Sequence, residues 1–442
     1  MTAVGPPTGP AADPSAAPGT HLSAAPGTHL SAAPAALGSP RRWSRPGTWP
    51  WWGQVLAVYG VTRVVTALVF VWVARVQQAN LWTSARPGYL DFVSLLFDGS
   101  WYRTIAESGY PSTLPIGSDG LVQQNALAFF PAFPMLVRAV MGVTSLPWQV
   151  AAPLVNLVLA GAAMLLVYRC VADGAPRAVA AWPGLPLATV TLVCVFPSSP
   201  VLQAAYTEAL ALLLVAAVLW TILTRRYLWA AAAVVALGFT RAVALPMAVV
   251  VVVHAVVRWR EARVRGERLP TRDVVAIAGL ALVAVASGFA WPAVVGVMTG
   301  VPDAYTLTQE SWRGVREVTP FLGWTYVPRF WFGAWAPLVL VAGFGLTIAL
   351  LVAPSAWRLG RELHAWSVAY IGYLVAVVEP GSSLARFLLL AFPMGAVTAG
   401  VVGGSPRARR WWFGAIVALM LGLQVLWVRQ IWLFNPSGDW PP

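Results

Sequence analysis

Residues 209–223 read ALALLLVAAVLWTIL, apolar on every side of a helix and free of charge. A helix on a soluble protein keeps a polar stripe, and this stretch has none. The same texture recurs at 187–196 and 245–257. Crossing about 30 Å of hydrocarbon takes roughly 20 such residues. Candidate segments lie near 54–76, 125–143, 150–168, 183–196, 203–223, 228–240, 242–257, 274–298, 334–353, 366–378, 384–402 and 411–428. Composition agrees, with 58% hydrophobic and 10% charged residues and a mean hydropathy of +0.69. Soluble domains carry about 25% charged residues, so a soluble chain is excluded. The expectation is an all-α polytopic membrane bundle of about 11–12 transmembrane or re-entrant segments.

The net charge of +13 comes from 29 arginines and no lysine. They form short clusters between apolar runs, the pattern that orients membrane proteins. That placement points to membrane lipids as partners and to no nucleic acid. Basic clusters of this kind hold anionic lipid at a cytoplasmic face. Cys170 and Cys194 make neither a disulfide framework nor a metal spacing. Residues 1–50 stand apart: SAAPGTHL at 15–22 recurs at 23–30 and begins again at Ser31. So little apolar surface suits a disordered tail, and His21 and His29 read as parts of the repeat. No signal-peptide pattern is present, and Arg41, Arg42 and Arg45 put the tail in the cytoplasm. The membrane body is then 51–442.

The clusters at Arg225-Arg226, 258–272, Arg358/Arg361 and Arg407/Arg409/Arg410 all fall inside only if segment 125–143 makes no net crossing. The breaks at Phe129-Phe130-Pro131 and Phe133-Pro134 suit a broken or re-entrant helix there. On that topology the long first loop 77–124, the loop 300–333 and the turn 379–386 face outside.

The run Phe97-Asp98-Gly99-Ser100-Trp101-Tyr102 carries the sharpest chemistry. A short interfacial helix over Leu90–Phe97 would stand Asp98 at the membrane surface beside Trp101 and Tyr102. An apolar setting raises a carboxylate pKa, which suits a general base; the same Asp could instead cap the helix running to Ser108. Ionisable groups at membrane depth face a cavity or a partner. Glu208 reads as a sugar-hydroxyl acceptor, an arginine partner or an interfacial residue reaching water. Arg241 lies between two half-segments and reads as a phosphate ligand or a partner of Glu208. Arg386 reads as a donor-phosphate ligand or an interfacial residue. In 300–333, Asp303, Glu310, Arg313, Arg316 and Glu317 mix with Trp312, Trp324 and Tyr326. Acceptor binding and an aromatic belt both fit that mixture. His254 reads as structural, and Arg138 as interfacial or phosphate-facing. No nucleotide-binding Gly-rich loop and no metal spacing is visible. No cofactor is implied, although a divalent cation held by Asp98 and a second acid would leave little sequence trace.

Phe97–Pro111, with Asp98-Gly99, Trp101-Tyr102, Ile105-Ala106 and Gly109-Tyr110, resembles the signature of the PIG-V-like mannosyltransferases of the GT-C superfamily. Phe129-Phe130-Pro131-Ala132-Phe133-Pro134, Phe196-Pro197 with Tyr206-Thr207-Glu208, Thr240-Arg241, and Arg386-Phe387-Leu388 with Phe392-Pro393 are similar to its later motifs, in order. Phe97 stands where the family has Trp, Ala242 where it has Pro, and Phe387 where it has Tyr. The resemblance implies a GT-C-like fold and a polyprenyl-phosphate sugar donor, usually mannose. It also implies an active site on the non-cytoplasmic face of a bacterial plasma membrane. Asp98 would be catalytic, with Trp101, Tyr102, Glu208, Arg241, Glu310 and Arg386 binding substrate. The acceptor would be a lipid, glycan or protein hydroxyl. A lipid-sugar flippase or transporter is the rival from another class, since broken helices and intramembrane charges would serve it too. A transporter commonly shows internal duplication, and none is evident here. A non-catalytic scaffold is a third reading.

Overall fold

The computed structural model describes residues 49–313 and 315–435. The repeat-bearing tail lies outside the described residues. Among these, the chain is all helical apart from an isolated bridge between Ile116 and Val122. The first span is α1 (Trp51–Ala74), and the long loop after it carries two short helices, α2 (Tyr89–Ser94) and α3 (Asp98–Ser108). Helix α2 thus stops before Phe97, short of the 90–97 expectation, because the chain turns at Leu95–Phe97 to start α3.

Segment 125–143 is broken as expected. A turn at Ala126–Ala128 precedes the Phe129-Phe130-Pro131 kink, and α4 (Ala132–Thr144) has only 13 residues. At 1.5 Å per residue that is about 20 Å, short of the hydrocarbon thickness.

The body continues through α5 (Trp148–Gly174), α6 (Pro176–Ala181), α7 (Leu185–Val195), α8 (Glu208–Leu223), α9 (Tyr227–Gly238) and α10 (Leu245–Val264). Then come α11 (Thr271–Thr299), α12 (Ala304–Ser311), α13 (Gly323–Phe332), α14 (Ala336–Val352) and α15 (Pro354–Arg358). The chain ends with α16 (Arg361–Val377), α17 (Leu384–Leu388), α18 (Pro393–Ala399) and α19 (Pro406–Trp427). Among the described residues, five helical stretches are long and apolar enough to cross a membrane: α1, α5, α11, the run 323–358 and the run 406–432. Segment 384–402 is split into α17 and α18 at Phe392-Pro393. Proline lacks the N–H that would continue the ladder, and its ring collides with the preceding turn.

The all-round apolar α8 lies in the middle, with Leu212, Val215, Ala216 and Leu219 fully buried. It packs along α5 and α9, while α11 backs α9 and α10 lies between α11 and α16. Small residues allow these approaches: a Cβ on Gly238 of α9 would come within 2.4 Å of the Ser287 carbonyl oxygen of α11. Around this core, Leu68, Leu228 and Val297 stand 65–86% exposed. Such faces suit lipid and would be a liability in water.

What places the start of α3 is the exit of α2. The last carbonyls of a helix lack intrahelical partners, and here three elements supply them. Trp432 Nε1 donates to Phe92 O (3.1 Å), the Ala205 amide to Val93 O (2.9 Å), and Trp148 Nε1 to Ser94 O (3.0 Å). Gly99 then packs so closely that a Cβ would lie 2.5 Å from Ser94 O. Backbone cannot yield as a flexible side chain does, so Gly99→Ala should cost about 1–3 kcal/mol. Thermal unfolding in detergent should show a lowered midpoint, and a midpoint equal to wild type would mean that the α2–α3 turn relaxes freely.

Candidate active site

Asp98 is the first residue of α3, preceded by Phe97 at φ 51°, a left-handed conformation unusual outside glycine. No side chain caps this helix, so the capping alternative for Asp98 is set aside. Its carboxylate turns inward, and Asp98 Oδ2 accepts from Arg386 Nη2 at 2.8 Å. Arg386 Nη1 donates to Glu208 Oε1 at 2.9 Å, and Arg241 Nη1 reaches the same oxygen at 2.5 Å. The result is a row of alternating charge, Asp98–Arg386–Glu208–Arg241. Arg241 also donates to Thr207 Oγ1 at 3.0 Å. Thr207 Oγ1 accepts in turn from the Tyr102 hydroxyl at 3.5 Å.

The row is deeply placed, with the Glu208 side chain fully buried and Arg241, at 13%, the most exposed of the four. An isolated buried charge costs several kcal/mol, and neighbours of opposite sign offset that cost. Aromatic faces complete the enclosure. The Arg386 guanidinium lies 5.1 Å from the Tyr206 ring and 4.9 Å from Phe387, and Arg241 lies 4.3 Å from Phe387. Burial pushes the Asp98 carboxyl above the usual carboxylate range, the Arg386 guanidinium pulls it back, and the Glu208 charge pushes it up again. Buried Glu208 Oε2 and Arg386 Nε have no hydrogen-bond partner among the described residues. Unmet polar atoms of this kind mark sites that take a further ligand or store strain.

Each member comes from a break in helical structure. Glu208 opens α8 after the turn at Ser199–Gln203 and the extended Ala204. Buried Asn156 of α5 clamps that passage by donating to the carbonyls of Ala204 and Tyr206. Arg241 sits between α9 and α10, and Arg386 lies on the single turn of α17. Ser198 Oγ donates to Ala385 O and Tyr370 OH to Phe387 O, both at 2.8 Å, which fixes α17. Side chains set on backbone held this way lose little freedom when they pair.

Of the residues expected from sequence, Asp98, Tyr102, Glu208, Arg241 and Arg386 come together. Trp101 lies beside them in an aromatic wall, stacked on Phe129 at 5.7 Å and edge-on to Trp312 at 5.6 Å. Glu310 does not join: it is half-buried on α12, and its carboxylate makes no hydrogen bond or ion pair among the described residues. The loop carrying it is anchored by Arg313 to Val377 O and by Trp324 Nε1 to Val375 O. Arg138 is exposed on α4 and makes no ion pair among the described residues. His254 is buried between the Tyr227 hydroxyl (3.1 Å) and Glu362 (2.9 Å), in keeping with a structural residue.

Two functional supports escaped the sequence reading. Asn156 shows no spacing that would single it out. Arg63 of α1 is buried and donates to the carbonyls of Cys194 and Ser199, each at 2.7 Å. A guanidinium suits the negative end of α7, and a charge inside the first span was the signal that could have found it.

Among the described residues, no three His, Cys, Asp or Glu side chains come together as a metal set. Asp98 and Glu208 are both bridged by Arg386. That donor set suits an anion at the arginines and does not fit a cation at the acids, so no step is routed through a metal.

No family model matches the chain, and none of the curated proteins does. Among solved structures, similarity extends to the oligosaccharyltransferase of Archaeoglobus fulgidus. With a tethered acceptor peptide, it is 12% identical over 85% of this chain and 55% of that one, TM-score 0.47. With zinc and sulfate, it is 13% identical over 85% and 54%, TM-score 0.44. The archaeal oligosaccharyltransferase AglB of the same organism, with an inhibitory peptide and a dolichol-phosphate, is 14% identical over 86% and 51%, TM-score 0.33. The chain spans about half the length of these structures.

Proposed function

We propose that this chain is an integral-membrane glycosyltransferase of GT-C type, a mannosyltransferase by its motifs. It moves a sugar from a polyprenyl-phosphate donor to a lipid, glycan or protein hydroxyl on the extracytoplasmic face. The observation that carries the reading is the buried Asp98–Arg386–Glu208–Arg241 row, built from four motifs that the family resemblance singles out in order.

The chemistry is a single inverting displacement. The acceptor oxygen attacks the anomeric carbon as the bond from that carbon to the phosphate oxygen breaks. The electron pair leaves with polyprenyl phosphate, and the acceptor proton passes to the Asp98 carboxylate. Arg386 and Arg241 each present several N–H donors suited to phosphate. Donor binding would draw them from Glu208 and Asp98, freeing Asp98 to take the proton. Trp101 and Tyr102 offer ring faces to a sugar, and a donor with a lipid tail explains a site fed from the membrane.

The test is transfer from radiolabelled polyprenyl-phosphate mannose in membranes carrying the chain. Label should move to a product of different polarity, with one polyprenyl phosphate released per sugar. Intact donor carried across the bilayer without cleavage would favour a flippase instead. The pH profile gives a second check. Protonated Asp98 cannot act as base, so transfer should fall as pH drops through its raised pKa. The acid midpoint is expected clearly above the ordinary Asp value of about 3.9. A rate still flat at that pH would remove Asp98 from proton transfer.

A further inference from the structure

A second concavity lies away from the Asp98–Arg386–Glu208–Arg241 row. A groove of about 1400 Å³ runs between α10 and α16, with α6 and α15 at one end. It exceeds the roughly 300–1,000 Å³ of drug-sized pockets. Its lining changes character along α10. Val249, Val252, Val253, Val256 and Val257 form an apolar wall, and Arg260 and Arg263 follow on the same face. Positions 249, 253, 256, 260 and 263 are spaced by three and four, so one helical stripe passes from hydrocarbon to charge. Arg177, Arg265, Arg358 and Arg361 join the basic end.

Arg265 apart, these arginines are not spent on neighbouring acids. Two acids line the groove, and both are engaged elsewhere: Glu261 with Arg225 and Arg258, and Glu362 with His254. Arg265 pairs with Glu267, and Arg263 stacks on Trp259. Arg177, Arg260, Arg358 and Arg361 make no ion pair among the described residues. Arg177, Arg260, Arg358 and Arg361 are also exposed.

We infer that this groove holds an anionic glycerophospholipid of the surrounding bilayer, acyl chain along the valines and headgroup phosphate among the arginines. The valine stripe is open, with Val249, Val252 and Val256 between 42% and 57% exposed. A free phosphate would leave that wall bare, whereas a phospholipid matches both parts at once. Basic residues at a membrane surface attract anionic lipid by about 1 kcal/mol each. The location agrees. Helix α10 begins just after Arg241 and has 20 residues, about 30 Å at 1.5 Å per residue. Arg260 and Arg263 lie 15 and 18 residues beyond its first residue, about 23–27 Å, so the basic end is well away from the candidate active site. The lipid would be a structural ligand, wedging α10 against α16, and would not be the sugar donor.

The full chain, purified in a lipid-free maltoside detergent, would be offered equal phosphatidylglycerol and phosphatidylcholine, and retained lipid counted by native mass spectrometry. Wild type should retain phosphatidylglycerol at least tenfold over phosphatidylcholine and show a raised unfolding temperature with it. Arg260→Ala/Arg361→Ala should bring that preference close to parity. Val256→Trp, which leaves every charge in place and fills the apolar wall, should lose retention of both lipids. Equal retention of the two lipids by wild type would overturn the inference, as would a preference unchanged in both variants. Displacement of phosphatidylglycerol by an equal concentration of soluble glycerol phosphate would mark a site for free anions and overturn it too.

Discussion

Asp98→Asn should leave the chain folded and reduce sugar transfer by about 10²–10⁴-fold, the usual contribution of a positioned general base. At 1.36 kcal/mol per tenfold, that is about 3–5 kcal/mol of lost transition-state stabilisation. The substitution keeps shape, and the amide oxygen can still accept from Arg386 Nη2, which sits 2.8 Å from the carboxylate. Arg386 also keeps Glu208 as its counter-charge. What disappears is the capacity to accept a proton. Matched expression, an unchanged gel-filtration profile and initial rates of label transfer would check this. Transfer at the wild-type rate would take Asp98 out of the chemistry, whatever the chain's activity.

Arg386→Met should be as severe for catalysis and far worse for stability. This guanidinium spans two carboxylates, with Nη2 on Asp98 and Nη1 on Glu208. Without it Asp98 is left without its cation in a buried setting, while Glu208 retains Arg241. Breaking a buried ion pair from one side costs about 3–5 kcal/mol. Arg386→Lys should recover only part, because one ammonium cannot reproduce a fork that bridges two acids. The double variant Asp98→Asn/Arg386→Met should unfold at a higher temperature than Arg386→Met alone, since the orphaned charge is gone. The two changes are thus coupled and not additive. Transfer should stay absent in both. An Arg386→Met chain as stable as wild type would mean that the row does not anchor the core.

The fold class was legible because hydrophobicity is a local property. Ala209–Leu223 is apolar all round and becomes the buried α8, whatever lies beside it. The kink at Phe129-Phe130-Pro131 was equally local, set by proline's missing donor, whereas 384–402, read as one segment, is split at Phe392-Pro393. Asp98, Glu208, Arg241 and Arg386 could be singled out one at a time, each as a costly charge among apolar neighbours. Glu310, in a loop rich in charges and aromatics, had no such contrast, and it stands outside the row.

By itself the sequence determined that this chain is a membrane bundle with broken helices and a few intramembrane charges, because those features depend on neighbours along the chain. Only the tertiary structure decided which charge meets which. Glu208 and Arg386 are 178 positions apart, and nothing in local pattern says that one guanidinium will bridge Glu208 and Asp98. Their meeting depends on supports with no sequence signature: indoles of Trp148 and Trp432 on the end of α2, and the amide of Asn156 on the turn before α8. Each is an ordinary side chain until packing buries it, and burial is what makes its single hydrogen bond decide where the charged residues stand.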